Sequence, residues 1–367
     1  MKPASPTASR PSLVPRWLTS AGILIGSLVL SYAPLPGFKQ TIVVVSGSEL
    51  QEPLSKLEST FEDRYPGIDL QLEFQGSQDM IDRYRSNENE FTPTVLIPAS
   101  EDFLAQLDPQ SFDDSPQAIV KTYLVGIVWP DRSQTLFPGG KWDWSRVETL
   151  LRADRRDWTS VGGQPNWGGF DLVLTDPTRS NTGQLTLTLW LQSKLGGPLS
   201  AASFTDSTAL DLLGLVKRSV YEPSRSTDTL LQEFIARGPN AADMAIVYES
   251  IALYRWQQTQ GKPYQIFYPD PTIETTATAA ILRQDVNAKT AQAARTFVDF
   301  LRQPEQQAVF VAFGFRPSLE GIDLSTVPES PWAKNIPGAI VDLSVQSTPP
   351  PAADVTQPLV QAWQQAQ

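Results

Sequence analysis

The sequence predicts an α/β protein in which helices cover a mostly parallel sheet. Short apolar runs alternate with amphipathic segments from residue 41 onward, and most of these runs stop at a turn rich in Gly, Ser or Pro. The chain has 367 residues, of which 41% are hydrophobic, enough for two or three packed lobes.

The first part of the chain repeats one unit, made of a strand, a short turn and a helix. Residues 41–45 are a buried strand, and residues 68–74 alternate apolar and polar side chains as a half-buried strand does. Between them Leu50, Leu54, Leu57 and Phe61 fall on one helix face, and Pro53 predicts that this helix begins near residue 52. A second helix follows residue 77, and residues 94–97 are a third strand.

The rest of the chain continues the alternation less regularly. The predicted strands are residues 121–129, 170–174, 244–248 and 275–282, and the predicted helices are residues 184–195, 229–237, 287–303, a helix opened by Pro304, and 359–363. Residues 348–359 contain four Pro and are predicted to form a linker-like tail. Half of the ten Trp lie between residues 129 and 167, and without an accompanying polar pattern we expect them to pack over a core rather than stack on a ligand.

Composition excludes several classes of chemistry. The chain has no His and no Cys, which excludes a Ser-His-Asp triad, a thiol nucleophile and the usual zinc, copper or haem ligands. We expect no cofactor and no bound metal. The net charge of −11, without a basic run, argues against a nucleic-acid partner.

The amino-terminal segment is predicted to export the protein. A leader with Lys2, Arg10 and Arg16 precedes 22 uncharged residues, 17–38. The leader would stay in the cytoplasm and the rest of the chain would cross the membrane. Residues 31–33 resemble a cleavage site, but Pro34 should hinder cleavage, so we favour an uncleaved anchor in the inner membrane over a removed signal peptide.

Candidate ligand-binding residues follow the ends of the predicted strands. In open α/β sheets, ligands gather at the carboxyl ends of strands, where the next helix begins with unpaired N–H groups. A simpler interpretation is that residues such as Ser48 and Ser77 only cap helices, each contributing about 1 kcal/mol to stability.

Four segments, in order, resemble the type II periplasmic solute-binding proteins of ABC transporters, a group with molybdate-, sulfate- and iron-binding members. They are residues 46–68, 74–77, 175–183 and 297–317, read as Ser-Gly-Ser to Tyr-Pro-Gly-Ile, Phe-Gln-Gly-Ser, Thr-Asp-Pro to Ser-Asn-Thr-Gly, and Phe-Val-Asp-Phe-Leu to Phe-Gly-Phe-Arg-Pro. The resemblance covers roughly residues 41–320. Residues 358–363 also look like the end of such a module where a von Willebrand-type domain follows it, and the sequence stops there.

The resemblance implies two lobes joined by a two-strand hinge, with a ligand held in the cleft between them. Lobe I would comprise residues 41–126 and 277–325 and lobe II residues 127–276, preceded by the membrane segment in 1–40 and followed by a Pro-rich extension, 326–367. The implied ligand-binding residues are Ser46, Gly47, Ser48, Gly76, Ser77 and Ser100, facing Ser180, Asn181, Thr182, Gly183, Tyr248 and Glu249.

Three functions stay open at this level. The first is an extracytoplasmic receptor that captures a small polar or anionic solute, such as an oxyanion, for an ABC permease. The second is a membrane-tethered sensor or scaffold with the same fold, and the third is an enzyme using Asp176 and Glu249 as an acid–base pair. Neutral donors at helix starts suit an oxyanion, whereas an inward Glu249 would suit a cationic or polar organic ligand. Lacking a Tyr-Tyr pair, the sequence makes iron an unexpected ligand.

Overall fold

The computed structural model describes residues 39–220, 223–259 and 263–367. They form two lobes that share one path of hydrogen-bonded strands, in the order β2-β1-β3-β8-β4-β6-β5. The strands are β1 (Gln40–Gly47), β2 (Ile68–Gln75), β3 (Val95–Ile97), β4 (Gln117–Val128), β5 (Leu172–Val173), β6 (Met244–Tyr248), β7 (Gln265–Phe267), β8 (Thr272–Ile281), β9 (Arg316–Pro317) and β10 (Ser347–Thr348).

Eleven α-helices accompany these strands in the described residues. They are α1 (Gln51–Arg64), α2 (Ser77–Ser86), α3 (Pro130–Leu136), α4 (Trp144–Arg152), α5 (Asn181–Leu195), α6 (Ser207–Ser219), α7 (Thr227–Arg237), α8 (Glu249–Trp256), α9 (Ala288–Leu301), α10 (Pro304–Ala312) and α11 (Ala353–Gln365).

Lobe I is built around the parallel strands β2, β1 and β3. Its two cores lie on opposite faces of the sheet, one around Phe61 and Phe297 and the other around Met80 and Phe103. Each parallel strand ends at the same edge, and the chain turns there into α1, α2 or the 3-10 helix Glu101–Gln106.

The hinge consists of β4 and β8, which are antiparallel neighbours. The first half of β4 pairs with β8, and its second half pairs with β6 and β7 of lobe II. The prediction of a mostly parallel sheet is therefore wrong at the centre. These two strands carry the chain out to lobe II and back again, so they must run in opposite directions.

Lobe II surrounds β5, β6 and the second half of β4 with α3 to α8 and contains one large core. Trp129, Trp144 and Trp158 are buried in this core, and Trp142 and Trp167 pack against it. The prediction that the Trp-rich region packs rather than forming an exposed stacking platform is confirmed.

The carboxyl-terminal segment returns to lobe II after α10. Trp332, Leu359 and Trp363 join the lobe II core, and Lys217 donates to the carbonyls of Trp363, Gln364 and Ala366, each at 2.9 Å. The predicted short helix at residues 359–363 is longer, because α11 runs through Pro358, and residues 353–358 are helical rather than linker-like.

Most other element predictions are confirmed within a few residues; β6 has the predicted bounds, and α10 begins at Pro304 as predicted. Helix α1 begins at Gln51, directly after the 3-10 helix Ser48–Leu50, so Pro53 is its third residue and not its first.

The predicted membrane segment, residues 17–38, lies outside the described residues. Among the described helices, none has the length and apolar character that a membrane span requires.

Candidate functional site

The two lobes touch at the carboxyl ends of their parallel strands. Ser48 of lobe I and Ser226 of lobe II share a hydrogen bond between their hydroxyl oxygens, 3.1 Å apart. Arg179 of lobe II donates to both oxygens of the lobe I carboxylate Asp79, with Nε at 3.1 and 3.0 Å and a terminal nitrogen at 2.6 Å. The strand-end turns of the two lobes therefore meet across a cleft.

Gly76 lies at a close backbone contact between the lobes. A Cβ placed on Gly76 would lie 2.6 Å from the carbonyl oxygen of Arg179, well inside ordinary van der Waals contact. The backbone of Gly76 is extended, with φ −63° and ψ 144°, which any residue can adopt. Glycine is required here because the opposite lobe comes so close. A second ion pair across the cleft joins Arg255 of lobe II to Glu52 of lobe I at 3.2 Å.

Outside the Gly76–Arg179 contact the cleft opens into a cavity of about 690 Å³. Both lobes line it, with Gln71, Glu73 and Asp79 on one side and Arg179, Arg225 and Ser226 on the other.

The predicted lobe I residues lie together, but several of their side chains bond within the lobe. Ser46 Oγ donates to the carbonyl of Ile97 at 3.4 Å, and Ser77 Oγ accepts from the N–H of Ala99 at 3.0 Å. The Ser100 hydroxyl donates to Asp102. These hydroxyls fix the three strand-end turns relative to one another.

The predicted turn 180–183 of lobe II is buried. Thr182 Oγ1 lies 2.8 Å from the hydroxyl oxygen of Thr175, 3.0 Å from that of Ser180 and 2.6 Å from that of Thr227. A Cβ on Gly183 would be 2.6 Å from the carbonyl of Thr175, so glycine lets the turn fold tightly onto β5. Thr182 and Gly183 therefore determine the shape of the turn.

Asn181 and Tyr248 provide lobe II with buried polar groups that have no partner within the described residues. Asn181 is 3% exposed with an unpartnered amide nitrogen, and Tyr248 is 2% exposed with an unpartnered hydroxyl. Burial raises the pKa of Tyr248 well above its ordinary value, and the neighbouring carboxylates Glu49 and Asp102 raise it further. The adjacent Asn181 amide lowers this pKa, although the two side chains do not meet hydrogen-bond geometry. These four side chains therefore share one environment.

Glu249 is engaged differently from the prediction. Its carboxylate is fully buried and accepts from Arg316 at 2.7 and 2.9 Å and from the Tyr268 hydroxyl at 2.6 Å. Burial alone would lower the pKa of Arg316, but its hydrogen bonds to Glu249 and the charge of Glu249 raise it above its ordinary value. Both oxygens of Glu249 are thus committed to a structural ion pair.

Two carboxylates near the cleft were missed at the sequence level. Glu49 lies in the 3-10 helix after β1, and burial raises its pKa from 4.5 to about 7. Asp102 lies in the 3-10 helix after β3, and burial raises its pKa from 3.8 to about 6 in spite of its hydrogen bond with Ser100. The available signal was position, because each stands in the first turn after the end of a parallel strand.

Among the described residues, no cluster of three or more acidic side chains is placed to hold a metal ion. In the rival acid–base pair, Asp176 accepts from the backbone N–H of Thr178 at 2.9 Å and from its hydroxyl at 2.7 Å, while Glu249 is bound to Arg316. Both carboxylates of that hypothesis serve local structure.

Comparison with known protein families gives a match over most of the chain. The family model for bacterial extracellular solute-binding proteins matches residues 42–316. No curated protein sequence matches the chain significantly.

Solved structures share the fold at low identity. The sulfate-binding protein SubI from Mycobacterium tuberculosis H37Rv is 17% identical, with a TM-score of 0.58 over 86% of this chain and 96% of its own. A periplasmic thiamin binding protein is 14% identical, with a TM-score of 0.63 over 91% and 98%. Iron-bound HitA from Pseudomonas aeruginosa is 16% identical, with a TM-score of 0.58 over 89% and 99%.

Proposed function

The chain belongs to the bacterial extracellular solute-binding proteins, since the family model spans most of it, and on that premise we propose that it is a receptor for an ABC importer. In this role it captures a small polar or anionic solute between its lobes outside the cytoplasm and presents it to a permease. The observation that carries the proposal is the meeting of strand-end turns from both lobes around the unpartnered groups of Asn181 and Tyr248.

The mechanism is differential binding. A solute held by both lobes stabilises the closed form only to the extent that it binds that form better than the open one. Groups such as the Asn181 amide, buried between the lobes in the closed form, are suited to this task. A permease that recognises the closed lobes would then select the loaded receptor.

Asn181→Ala provides the first test. We expect the variant to bind the solute at least about tenfold more weakly, because a buried hydrogen-bonding group that a ligand engages contributes roughly 1–3 kcal/mol. The free energy of unfolding should change by about 1 kcal/mol or less, since the amide nitrogen has no partner in the described residues. Isothermal titration and chemical denaturation measure the two quantities on the full chain.

The solute is first identified by thermal-shift screening of oxyanions, amino acids, sugars and metal ions. Asn240→Ala is the matched control because Asn240 is a lobe II asparagine outside the cleft, in the turn between α7 and β6. Turnover of the solute would contradict the receptor proposal and favour an enzyme. The absence of any binding solute would favour the alternative of a tethered sensor or scaffold.

The proposed location includes an uncleaved tether formed by residues 17–38. Its support is the basic leader and the uncharged run of the sequence. We expect the full chain to remain with inner membranes after carbonate extraction, whereas a chain lacking residues 1–38 should not be exported. Release of the protein into the soluble periplasmic fraction, at the mass of a cleaved chain, would contradict the tether without affecting the receptor proposal.

A further inference from the structure

Glu49 places a partly exposed carboxylate at the end of β1, where the lobes meet. Its side chain folds back over Gly47, so that a Cβ on Gly47 would lie 2.1 Å from Glu49 Oε1. This oxygen is inaccessible to solvent and has no hydrogen-bond partner among the described residues. An unpartnered buried carboxylate oxygen is costly and calls for a functional explanation.

Asp102 adds a second carboxylate at the same edge of lobe I. Strands β1 and β3 are parallel neighbours, with Ser46 opposite Ile97, so the turns that carry Glu49 and Asp102 leave the sheet side by side. The bond from Ser100 orients the Asp102 carboxylate. Lobe I therefore presents two acidic groups on adjacent strand ends.

Lobe II faces these acids with neutral hydrogen-bonding groups. The Tyr248 hydroxyl, the Asn181 amide and the Ser250 hydroxyl are buried, and each has an atom without a partner in the described residues. The first two groups follow neighbouring parallel strands, since Tyr248 is the last residue of β6 and Asn181 comes after β5. They can orient a guest but cannot neutralise the acids opposite.

No cation of the described residues is paired with Glu49 or Asp102. Of the guanidinium groups at the cleft, Arg179 is bound to Asp79, and Arg255 is bound to Asp228 of α7 at 2.8 Å and to Glu52 of α1 at 3.2 Å. Arg83 and Arg225 line the outer cavity.

The remaining charges near Glu49 do not favour an anion. Asp228 repels the Glu49 carboxylate, and Tyr248, which faces it from β6, is neutral. The outer cavity is lined by four acidic and three Arg side chains, so it adds no excess of positive charge. An oxyanion entering this site would meet two carboxylates without a compensating cation, which is electrostatically unfavourable.

We propose that the solute recognised by this cleft carries a hydrogen-bond-donating organic cation, an ammonium or guanidinium group, with Glu49 and Asp102 as its counter-charges. The inference rests on the proposed receptor function and narrows its solute class. An amine or guanidine donates two or more hydrogen bonds, enough to satisfy Glu49 Oε1 and the carboxylate of Asp102 together. Asn181 and Tyr248 then orient the remainder of the solute.

The test titrates the full chain with two sets of probes. The cationic set is agmatine, putrescine and L-arginine, and the anionic set is sulfate, molybdate and inorganic phosphate. We expect at least one cationic probe to bind and no anionic probe to compete with it. Glu49→Gln and Asp102→Asn should each weaken that probe at least about thirtyfold, because each removes a charge-assisted hydrogen bond.

The matched control is Glu101→Gln. It removes the same charge from the same 3-10 helix as Asp102, but at an exposed position, and should change affinity less than about threefold. Affinity for the cationic probe should also rise at least about tenfold from about pH 5.5 to about pH 8, because both acids must lose their protons to act as counter-charges.

The outcomes separate this inference from the receptor proposal. Binding of an anion or a neutral solute, with affinity unchanged in Glu49→Gln, would overturn the cationic assignment and leave the receptor function standing. Failure of every solute in the broader screen would overturn both. Loss of binding in Glu49→Gln and Asp102→Asn but not in Glu101→Gln supports the assignment, provided that the unfolding temperature of each variant is unchanged.

Discussion

Replacing Arg316 by Met should lower the free energy of unfolding by about 3–5 kcal/mol, the usual cost of leaving a buried charge without its partner. Glu249 is fully buried and takes two of its three side-chain hydrogen bonds from Arg316. Arg316 also donates to the carbonyls of Ile340 and Val341, both at 2.6 Å, so the substitution removes an attachment of the carboxyl-terminal segment as well. Urea denaturation followed by Trp fluorescence measures the effect.

The cause of this loss can be checked with a second substitution, because an unpaired buried carboxylate is costly and its removal should relieve that cost. Adding Glu249→Gln to Arg316→Met should recover part of the loss at neutral pH. The control is Arg237→Met, because Arg237 is exposed and lies 3.7 Å from Glu233 on the same helix, and it should shift stability by about 0.5 kcal/mol or less. Equal effects of the two Arg substitutions would contradict the argument.

Gly76→Ala should hold the lobes apart while leaving each lobe folded. The added methyl would sit 2.6 Å from the Arg179 carbonyl, where ordinary contacts are 3.4–4 Å, and the obstacle is backbone of the other lobe. Because Gly76 has an extended backbone, the substitution introduces no local strain. We expect the Ser48–Ser226 hydrogen bond to be lost and affinity for the solute to fall at least about tenfold, since closure contributes directly to binding.

The separation can be measured directly because the chain has no native Cys. Spin labels at Lys56→Cys in lobe I and Leu210→Cys in lobe II are both at exposed positions. Their distance distribution should shift to longer values in Gly76→Ala and stay unchanged in the control Gly67→Ala, where an added Cβ meets nothing within 4 Å. Identical distributions in both variants would show that the Gly76 contact does not limit closure.

Local patterns predicted most elements, and the exceptions have physical causes. Residues 244–248 are a continuous apolar strand, and Pro304 opens a helix, so β6 and α10 could be placed from neighbouring residues alone. The antiparallel pairing of the hinge strands could not be predicted from neighbouring residues, because the direction of β8 relative to β4 depends on how the whole chain passes between the lobes. Helix α6, which begins behind the capping residue Asp206, was not predicted.

The contact between the lobes was predicted in part, and the charges beside it were not. The strand-end turns predicted to bind a ligand include Ser48 and Gly76, which lie where the lobes meet, and their binding of a solute stays a prediction. Glu249 follows the end of β6 and was therefore predicted to bind a ligand, but Arg316, which is 67 residues away in the sequence, binds both of its oxygens. Glu49 was overlooked because an acidic residue at the start of a helix is ordinarily explained by the helix dipole.

The two ends of the described chain are attached to different lobes. Strand β1 starts in lobe I, whereas Lys217 and Arg218 donate hydrogen bonds to carbonyls of residues 363–367 and hold them against lobe II. Fluorescent proteins fused before residue 39 and after residue 367 would consequently be attached to different lobes, and the distance between them would change when the lobes move. A change in energy transfer between them would report capture of the solute, which makes the fold a ready scaffold for a genetically encoded sensor.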